Sequence, residues 1–287
     1  MSTLINLRRR IRSVRNSQQI TRAMKTVSMA KYKKAQRHVL ESRPYWHVFP
    51  EIVARVVSLA GAEGHPLLAE RREMKAEVVI VTSDKGLAGA FNANLLAEAQ
   101  SFIREKLGTV APGLVLVGKK AVNAFRRTRL RVDRSYSERT DKLGRAEVRD
   151  LAGFLMRLYA LQRTDAVYLI YNEFKSIIAP RLVVDRLLPV SVPPAADGAT
   201  ATAPDWEPEA AGLVAAVLPL YVESQVLHAL GESQAAEQAA RMIAMDNATK
   251  NAEDIITDLV LVLNKIRQAT ITKELLEIMT AVDAMAK

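Results

Sequence analysis

The segment Ser83–Asn92 contains the residue types that could bind a phosphate group. It reads SDKGLAGAFN, follows an apolar β-branched run and precedes a helical pattern, which is where phosphate-binding loops occur. The segment has neither the G-x-G-x-x-G nor the G-x-x-x-x-G-K-[ST] spacing, so nucleotide binding is the less favoured alternative. A tight strand-to-helix turn that requires small residues explains Gly86, Ala88 and Gly89 as well.

The remaining polar residues form no catalytic pattern. Asp84 and Lys85 could form an acid–base pair, but a helix-capping aspartate beside a solvated lysine is the favoured interpretation. The four histidines are scattered, and neither H-E-x-x-H nor G-x-S-x-G occurs. The absence of cysteine excludes disulfides, thiolate chemistry and zinc–cysteine sites. We therefore expect no catalytic residue, no cofactor and no metal site.

Both ends of the chain predict long helices. No proline or glycine interrupts residues 4–43 or residues 232–287, which allows about 60 Å and about 80 Å of helix. Apolar residues recur three and four apart at Leu4, Leu7, Ile11 and Val14, then on a neighbouring stripe at Ile20, Met24 and Val27. At the other end they recur in the same way at Ile255, Leu259, Val262 and Ile266 and, after one step of five residues, at Ile271, Leu275, Ile278, Val282 and Met285. This spacing predicts an antiparallel coiled coil of the two ends. Two independent surface helices are the alternative.

Between these helices, short apolar runs alternate with helical stretches. Strands are predicted at residues 77–83, 114–117, 166–171 and 181–184, and helices from residue 93 to 106, 119 to 127 and 145 to 162. The alternation predicts an inserted Rossmann-like α/β domain with a mostly parallel sheet. The stretch from Pro189 to Pro208 predicts a flexible loop, and Pro219 predicts a kink or boundary in the following helix.

The formal net charge of +10 is concentrated near the N-terminus, where twelve Lys and Arg residues and the single acid Glu41 precede residue 48. A targeting peptide, a nucleic-acid-binding helix and a helix that contacts acidic protein surfaces all remain possible. The segment lacks a cleavage signal and interleaved aromatic residues, but charge alone does not decide. No uninterrupted apolar run reaches 18 residues, so we expect no membrane-spanning helix.

Five blocks of the sequence resemble the γ subunit of F-type ATP synthases. They occupy residues 12–24, 83–92, 171–176, 239–250 and 264–275, occur in the family's order and span almost the whole chain. The lack of a long insertion and of cysteine is similar to the bacterial type. The resemblance implies a central-stalk rotor subunit of a proton-translocating ATP synthase, which transmits torque between a membrane c-ring and a catalytic hexamer of α and β subunits. It implies no catalysis by this chain, because the nucleotide chemistry belongs to β.

The resemblance also implies an organisation and a location. We expect an N-terminal shaft helix at residues 1–60, an α/β body at 75–190, a flexible loop at 191–208 and a C-terminal shaft helix at 209–287. The expected partners are α, β, the ε subunit and the c-ring, with no nucleic acid and no small-molecule substrate. The expected location is the cytoplasmic face of the bacterial inner membrane, as a peripheral protein.

The resemblance further implies which residues contact the partners. Met24 and Lys25 match a helix segment that touches the β subunits, while Arg267, Gln268 and Thr272 match a polar patch that hydrogen-bonds a β loop. The basic face from Arg8 to Arg37 would meet acidic β surfaces. The expected bearing tip comprises Ile271, Leu275, Ile278, Val282 and Met285, and the expected foot toward ε and the c-ring comprises Trp206, Glu207 and Pro208.

Two other classes remain open on the residues alone. A coiled-coil adaptor or nucleic-acid-binding protein with a basic N-terminal helix would show DNA binding with a steep salt dependence. A nucleotide-dependent enzyme would show saturable nucleotide binding by the isolated chain.

Overall fold

The computed structural model describes residues 2–60, 64–106, 108, 110–137, 144–177, 180–191 and 210–285. The helices are α1 (Ser2–Ala60), α2 (Phe91–Glu105), α3 (Lys119–Phe125), α4 (Arg145–Ala160) and α5 (Ala210–Met285). The strands are β1 (Lys75–Val81), β2 (Ala111–Val117), β3 (Arg131–Tyr136), β4 (Ala166–Glu173) and β5 (Arg181–Leu188).

The chain divides into two compact units. Unit 1 comprises Met1–Ser28 and Met242–Lys287, and unit 2 comprises Met29–Arg241. The helices α1 and α5 each contribute one part to unit 1 and another part to unit 2. The boundaries expected from the sequence at residues 60, 75, 190 and 208 stay a prediction.

Unit 2 is built on a five-stranded sheet in the order β3-β2-β1-β4-β5. The first four strands are parallel, and β5 runs antiparallel to β4. The predicted α/β class with a mostly parallel sheet is therefore confirmed. The strand β3 was not predicted, because its sequence RVDRSY is mostly charged or polar and lies at an edge where little is buried.

Two apolar layers cover the sheet of unit 2. Residues of β1 such as Val78 and Ile80 pack with α2 and α3, while Val79 and Val81 pack on the opposite face with α4 and with parts of α1 and α5. Strand side chains alternate between the two faces of a sheet, so β1, which is buried on both, is apolar along most of its length.

The helix α5 contains Pro219 in its interior and continues past it, so the proline is not a helix boundary, and the alternative, a kink, stays a prediction. A proline inside a helix costs about 3 kcal/mol, because it removes one backbone hydrogen bond and crowds the preceding turn. Val214, Leu218, Val222 and Val226 are buried in the core of unit 2 on both sides of the proline. Their packing offsets that cost.

By length and composition alone, α5 is also apolar enough to cross a membrane, with a stretch of mean hydropathy 1.5. The expectation of no such helix was too strict, because it considered only uninterrupted apolar runs. Core helices of globular proteins reach the same hydropathy, and Leu218 and Val222 are fully buried in the core of unit 2. This packing accounts for part of the hydropathy of α5, since 28% of the apolar stretch is buried.

Candidate partner-binding surfaces

In unit 1, α1 buries one regular stripe of side chains. Its buried and half-buried members are Leu4, Leu7, Ile11, Val14, Gln18, Thr21, Lys25 and Ser28. These positions are three and four apart without a break, which is the heptad spacing of a coiled-coil seam. The seam is apolar toward the N-terminus and polar from Gln18 onward.

In unit 1, α5 has a matching seam. It comprises Met242, Met245, Thr249, Ala252, Ile256, Leu259, Leu263, Ile266 and Thr270. The hydroxyl oxygens of Thr21 and Thr249 are 2.8 Å apart, and Lys25 Nζ donates to Asp246 Oδ1 at 2.6 Å. Residue numbers rise along α1 as they fall along α5, so the two helices run antiparallel, as predicted.

The predicted seam was partly in the wrong phase. Ile20 and Val27 of α1 are 60% and 57% exposed, and Ile255 and Val262 of α5 are 44% and 45% exposed. On α1 the seam instead passes through polar residues that an apolar pattern cannot identify, whereas on α5 it passes through the neighbouring apolar residues Ile256 and Leu263. Ile20 and Val27 therefore form an exposed apolar stripe on α1, with the half-buried Met24 between them.

Lys25, one of the predicted β-contact residues, is held by a carboxylate of its own chain. Its ammonium group lies 2.6 Å from Asp246 Oδ1, and Lys250 Nζ lies 3.2 Å from Asp246 Oδ2. Hydrogen bonds from Lys25, and then from Lys250, lower the pKa of Asp246. The side chain of Lys25 remains 40% exposed, so it can still reach a partner.

The second predicted group lies far along the same pair of helices. Arg267, Gln268 and Thr272 are exposed on α5, and Thr272 Oγ1 donates to the carbonyl of Gln268 at 3.0 Å. Lys25 is opposite Asp246, about 20 residues before this patch, which is roughly 30 Å along a helix. The structure thus brings the polar patch together but separates it from Met24 and Lys25.

The predicted tip extends beyond the helical pair. Because Thr21 is opposite Thr249, equal rise per residue places the start of α1 opposite about residue 268 of α5. The tip residues Ile271, Leu275, Ile278, Val282 and Met285 are 49%, 58%, 60%, 58% and 89% exposed. Within unit 1 the tip is a single helix with an uncovered apolar surface.

The predicted foot residues Trp206, Glu207 and Pro208 lie outside the described residues.

In unit 2, the polar groups of the segment Ser83–Asn92 are bonded within the chain. Ser83 N donates to Asn92 Oδ1 at 3.1 Å, and Asp84 Oδ1 accepts from Lys119 N at 2.9 Å. Asp84 therefore caps α3 and not α2, the helix that follows it in sequence. Arg241, which is paired with Glu237 at 2.6 Å, donates to the carbonyl of Gly86 at 3.3 Å. These hydrogen bonds stabilise the segment as a turn, in agreement with the favoured interpretation of a tight strand-to-helix turn.

The block Tyr171–Ser176 lies beside a cleft of about 420 Å³. Its lining includes Arg43, Trp46 and Glu232. The Glu232 carboxylate is 2% exposed and accepts from Phe174 N at 2.8 Å, while Arg43 Nη2 donates to Phe174 O at 3.3 Å. Burial raises the pKa of Glu232, although the hydrogen bond from Phe174 N opposes the rise. These bonds tie α1 and α5 to the end of β4 within unit 2.

Sequence reasoning missed a buried carboxylate in β1. Glu77 is 0% exposed, and neither of its oxygens has a hydrogen-bond partner among the described residues. Gly113 of β2 lies between Glu77 and Arg131 in the sheet register, so the Glu77 carboxylate reaches over it to within 3.8 Å of Arg131 Nη2. Burial raises the pKa of Glu77 to about 8, and the charge of Asp133 adds to the rise while Arg131 opposes it.

The described residues contain no group of three or more His, Asp or Glu side chains that could hold a metal ion. The exposed residues of the helical pair and of its tip in unit 1 are the candidate partner-binding surfaces.

The model of the ATP synthase family matches residues 3–285. The ATP synthase gamma chain of Pelotomaculum thermopropionicum is 40% identical over 285 residues, covering 99% of this chain and 100% of that protein. The gamma chain of Anaeromyxobacter sp. strain K is 44% identical over 291 residues, with the same coverage. This chain belongs to the ATP synthase gamma-chain family.

Solved structures agree with the gamma-chain fold. A chain from the central stalk and c-ring of the Tetrahymena thermophila mitochondrial ATP synthase is 28% identical, with a TM-score of 0.61 over 80% of this chain and 99% of that one. A chain from the Euglena gracilis mitochondrial ATP synthase is 20% identical, with a TM-score of 0.69 over 99% of this chain and 95% of that one. The Euglena likeness shows the fold alone.

Proposed function

We propose that this gamma chain is the central-stalk rotor of an ATP synthase and transmits torque between a membrane c-ring and a catalytic hexamer of α and β subunits. The observation that carries this proposal is the antiparallel α1–α5 pair of unit 1, whose C-terminal tip continues as a single exposed helix. A long helical pair with an uncovered apolar end suits insertion into the bore of another assembly.

The chain itself performs no catalysis in this proposal. The polar groups of Ser83–Asn92 are satisfied by the chain's own atoms, so the turn offers little to a nucleotide. The nucleotide chemistry is assigned to β, and the gamma chain alters the affinities of the β sites by presenting different sides of an asymmetric shaft as it turns.

The partner contacts are divided along unit 1. Met24 and Lys25 would contact β subunits at one level, and Arg267, Gln268 and Thr272 would hydrogen-bond a β loop at another level. The tip from Ile271 to Met285 would turn in an apolar collar. Apolar contacts have little directional preference, so rotation there meets low barriers.

The basic residues of α1 fit the same assembly. Arg8, Arg12, Arg15 and Arg22 are exposed, and such charges would attract acidic β surfaces without fixing one orientation.

We assign the foot at Trp206, Glu207 and Pro208 to the side of the ε subunit and the c-ring. The complex would lie at the cytoplasmic face of the bacterial inner membrane, with the gamma chain as a peripheral subunit.

Reconstitution tests the proposal directly. The purified chain is mixed with an intact hexamer of α and β subunits from the same source, and the mixture is examined by size exclusion and by an ATPase assay. Co-elution of a single copy with the hexamer and a higher ATPase rate are expected. Failure to bind a hexamer of proven integrity would overturn the rotor proposal, and salt-sensitive DNA binding would then favour the nucleic-acid alternative.

A further inference from the structure

One edge of the sheet in unit 2 gathers the starts of four strands. The strands β1, β2, β3 and β4 are parallel, so their first residues lie at the same edge. The helices α2, α3 and α4 each lead into the next of these strands, so their C-terminal ends lie at that edge too. At about 4.8 Å per strand, the edge is roughly 14 Å wide between β3 and β4.

This edge is strongly basic. Six exposed cations there form no ion pair within the described part of the chain: Lys75, Lys106, Arg126, Arg127, Arg129 and Arg163. They come from the beginning of β1, the end of α2, the turn between α3 and β3, and the segment before β4. We call these six residues the basic edge. Charges from four separate segments converge on one surface.

Most acids near the basic edge are ion-paired or hydrogen-bonded to other groups of the chain. Asp133 holds Arg131 at 2.8 Å, Glu105 holds Arg104 at 3.4 Å, and Glu73 holds Arg186 at 3.1 Å. Asp165 accepts from the backbone N–H groups of Met74 and Lys75 at 3.0 and 2.9 Å. Glu70 is the exposed acid at this edge that has no ion pair within the described residues. The uncompensated charge is therefore clearly positive.

Two large apolar side chains protrude at the same edge. Leu161, which follows α4, is 70% exposed, and Met74, which precedes β1, is 58% exposed. Neither is buried against unit 2, although both lie close in sequence to residues of the basic edge. Protruding apolar side chains among cations are a common feature of surfaces that bind the headgroup region of a membrane.

We propose that the basic edge binds the anionic phospholipid headgroups of a membrane surface, with Leu161 and Met74 entering the headgroup layer. The charge complementarity favours this partner. The cations come from four separate segments, so their partner must supply many anions, and a lipid surface does so without requiring a fixed spacing between them. Arginine supplies four of the six cations, and its planar group pairs with phosphate through two parallel hydrogen bonds. This role goes beyond torque transmission and does not depend on it.

Vesicle sedimentation of the full chain tests the proposal. Vesicles of phosphatidylcholine alone are compared with vesicles that also contain phosphatidylglycerol, at several salt concentrations. Each basic residue near an anionic surface contributes about fivefold to binding, so the triple variant R126Q/R127Q/R129Q should bind on the order of 100-fold more weakly. The matched control R8Q/R9Q/R12Q removes three exposed arginines from α1 and should lose less than about tenfold.

The outcomes separate lipid binding from general charge attraction. Binding that requires phosphatidylglycerol, weakens with salt and is lost selectively in the R126Q/R127Q/R129Q variant supports the proposal. Equal losses in the two triple variants would show that binding depends on the overall charge of the chain and not on the basic edge, which would overturn the proposal. Tight capture of the chain by immobilised polyglutamate through the same three arginines, without vesicle binding, would assign the edge to an acidic protein and also overturn it. Hexamer binding and ATPase stimulation by R126Q/R127Q/R129Q test the rotor proposal separately.

Discussion

Lys25 Nζ and Asp246 Oδ1 lie 2.6 Å apart across the antiparallel helical pair of unit 1. The ion pair stands within the polar part of the seam, one turn from the contact between Thr21 and Thr249. A polar contact inside a coiled-coil seam commonly fixes which residues face each other.

The first prediction concerns this ion pair. Asp246→Asn should lower the thermal midpoint at neutral pH and have little effect in acid. The pKa of Asp246 is lowered in the folded state, so its contribution to stability is present above the unfolded-state value of 3.8 and is lost as the pH falls through the lower folded-state value. Thermal unfolding at several pH values measures the effect. Asp258→Asn, at an exposed position of α5 in unit 1, is the control, and an equal loss in this control would contradict the prediction.

The buried carboxyl of Glu77 predicts the opposite pH dependence. Its folded-state pKa of about 8 lies above the unfolded value of 4.5, so its contribution to stability is fully present below 4.5 and is lost as the pH rises through 8. Glu77→Gln should remove this slope and raise the free energy of unfolding above pH 8 by on the order of a few kcal/mol relative to the parent chain.

Denaturant unfolding between pH 5 and pH 9, roughly the window bounded by these two pKa values, measures the slope. The exposed Glu70→Gln is the control, and it should leave the slope unchanged. A Glu77→Gln variant with the same slope as the parent chain would show that Glu77 is ionised in the folded state.

Gly113 predicts a steric effect beside the same carboxylate. A methyl group at Gly113 would overlap Glu77 Oε2 and would lie 2.8 Å from Arg131 Nη2 and 2.9 Å from Asp133 Oδ2. Gly113→Ala should therefore destabilise the chain by about 1–3 kcal/mol. Gly153→Ala in α4 is the matched control, because its nearest atom is 3.7 Å away and alanine favours a helix by about 1 kcal/mol. Equal midpoints for the two variants would contradict the steric account.

The exposed tip and the buried seam should respond differently to the same substitution. Ile11 of the seam is 6% exposed, whereas Ile278 of the tip is 60% exposed. Ile11→Ala should lower the free energy of unfolding by about 2 kcal/mol, and Ile278→Ala should change it by less than about 0.5 kcal/mol. Chemical denaturation of the isolated chain compares them. A large loss for Ile278→Ala would mean that the tip is packed within the chain.

The polar patch predicts a change in coupled turnover. Arg267→Ala and Gln268→Ala should each lower the ATP-driven proton pumping of the reconstituted complex about tenfold, the equivalent of one charge-assisted hydrogen bond. Lys265→Ala, at another exposed position of α5, should leave pumping unchanged. Unchanged pumping in the Arg267 and Gln268 variants would remove these residues from the proposed β contact.

The sequence was sufficient to predict the α/β class and the two terminal helices, because both follow from patterns of apolar residues. The part of the seam formed by Leu4, Leu7, Ile11 and Val14 was predicted correctly for the same reason. The next part was not, since Thr21 and Lys25 are polar side chains that find partners only across the helical pair.

The buried groups of unit 2 were harder to predict. Glu77 begins an otherwise apolar run, and its burial depends on Gly113 and Arg131, which are distant in sequence but adjacent in the sheet. The basic edge has the same origin. Its arginines and lysines are scattered along the chain, and the parallel order of the strands brings them to one surface.

The polar seam also resists sliding of the two helices past each other. A slip of one helical turn, about 5.4 Å, would bring Lys25 toward Lys250 in one direction and toward the apolar Met242 in the other. The first arrangement brings like charges together, and the second leaves an ammonium group without its carboxylate. Unit 1 should therefore carry an axial load as a single body of fixed length, while the unpaired tip can bend without shifting the register behind it.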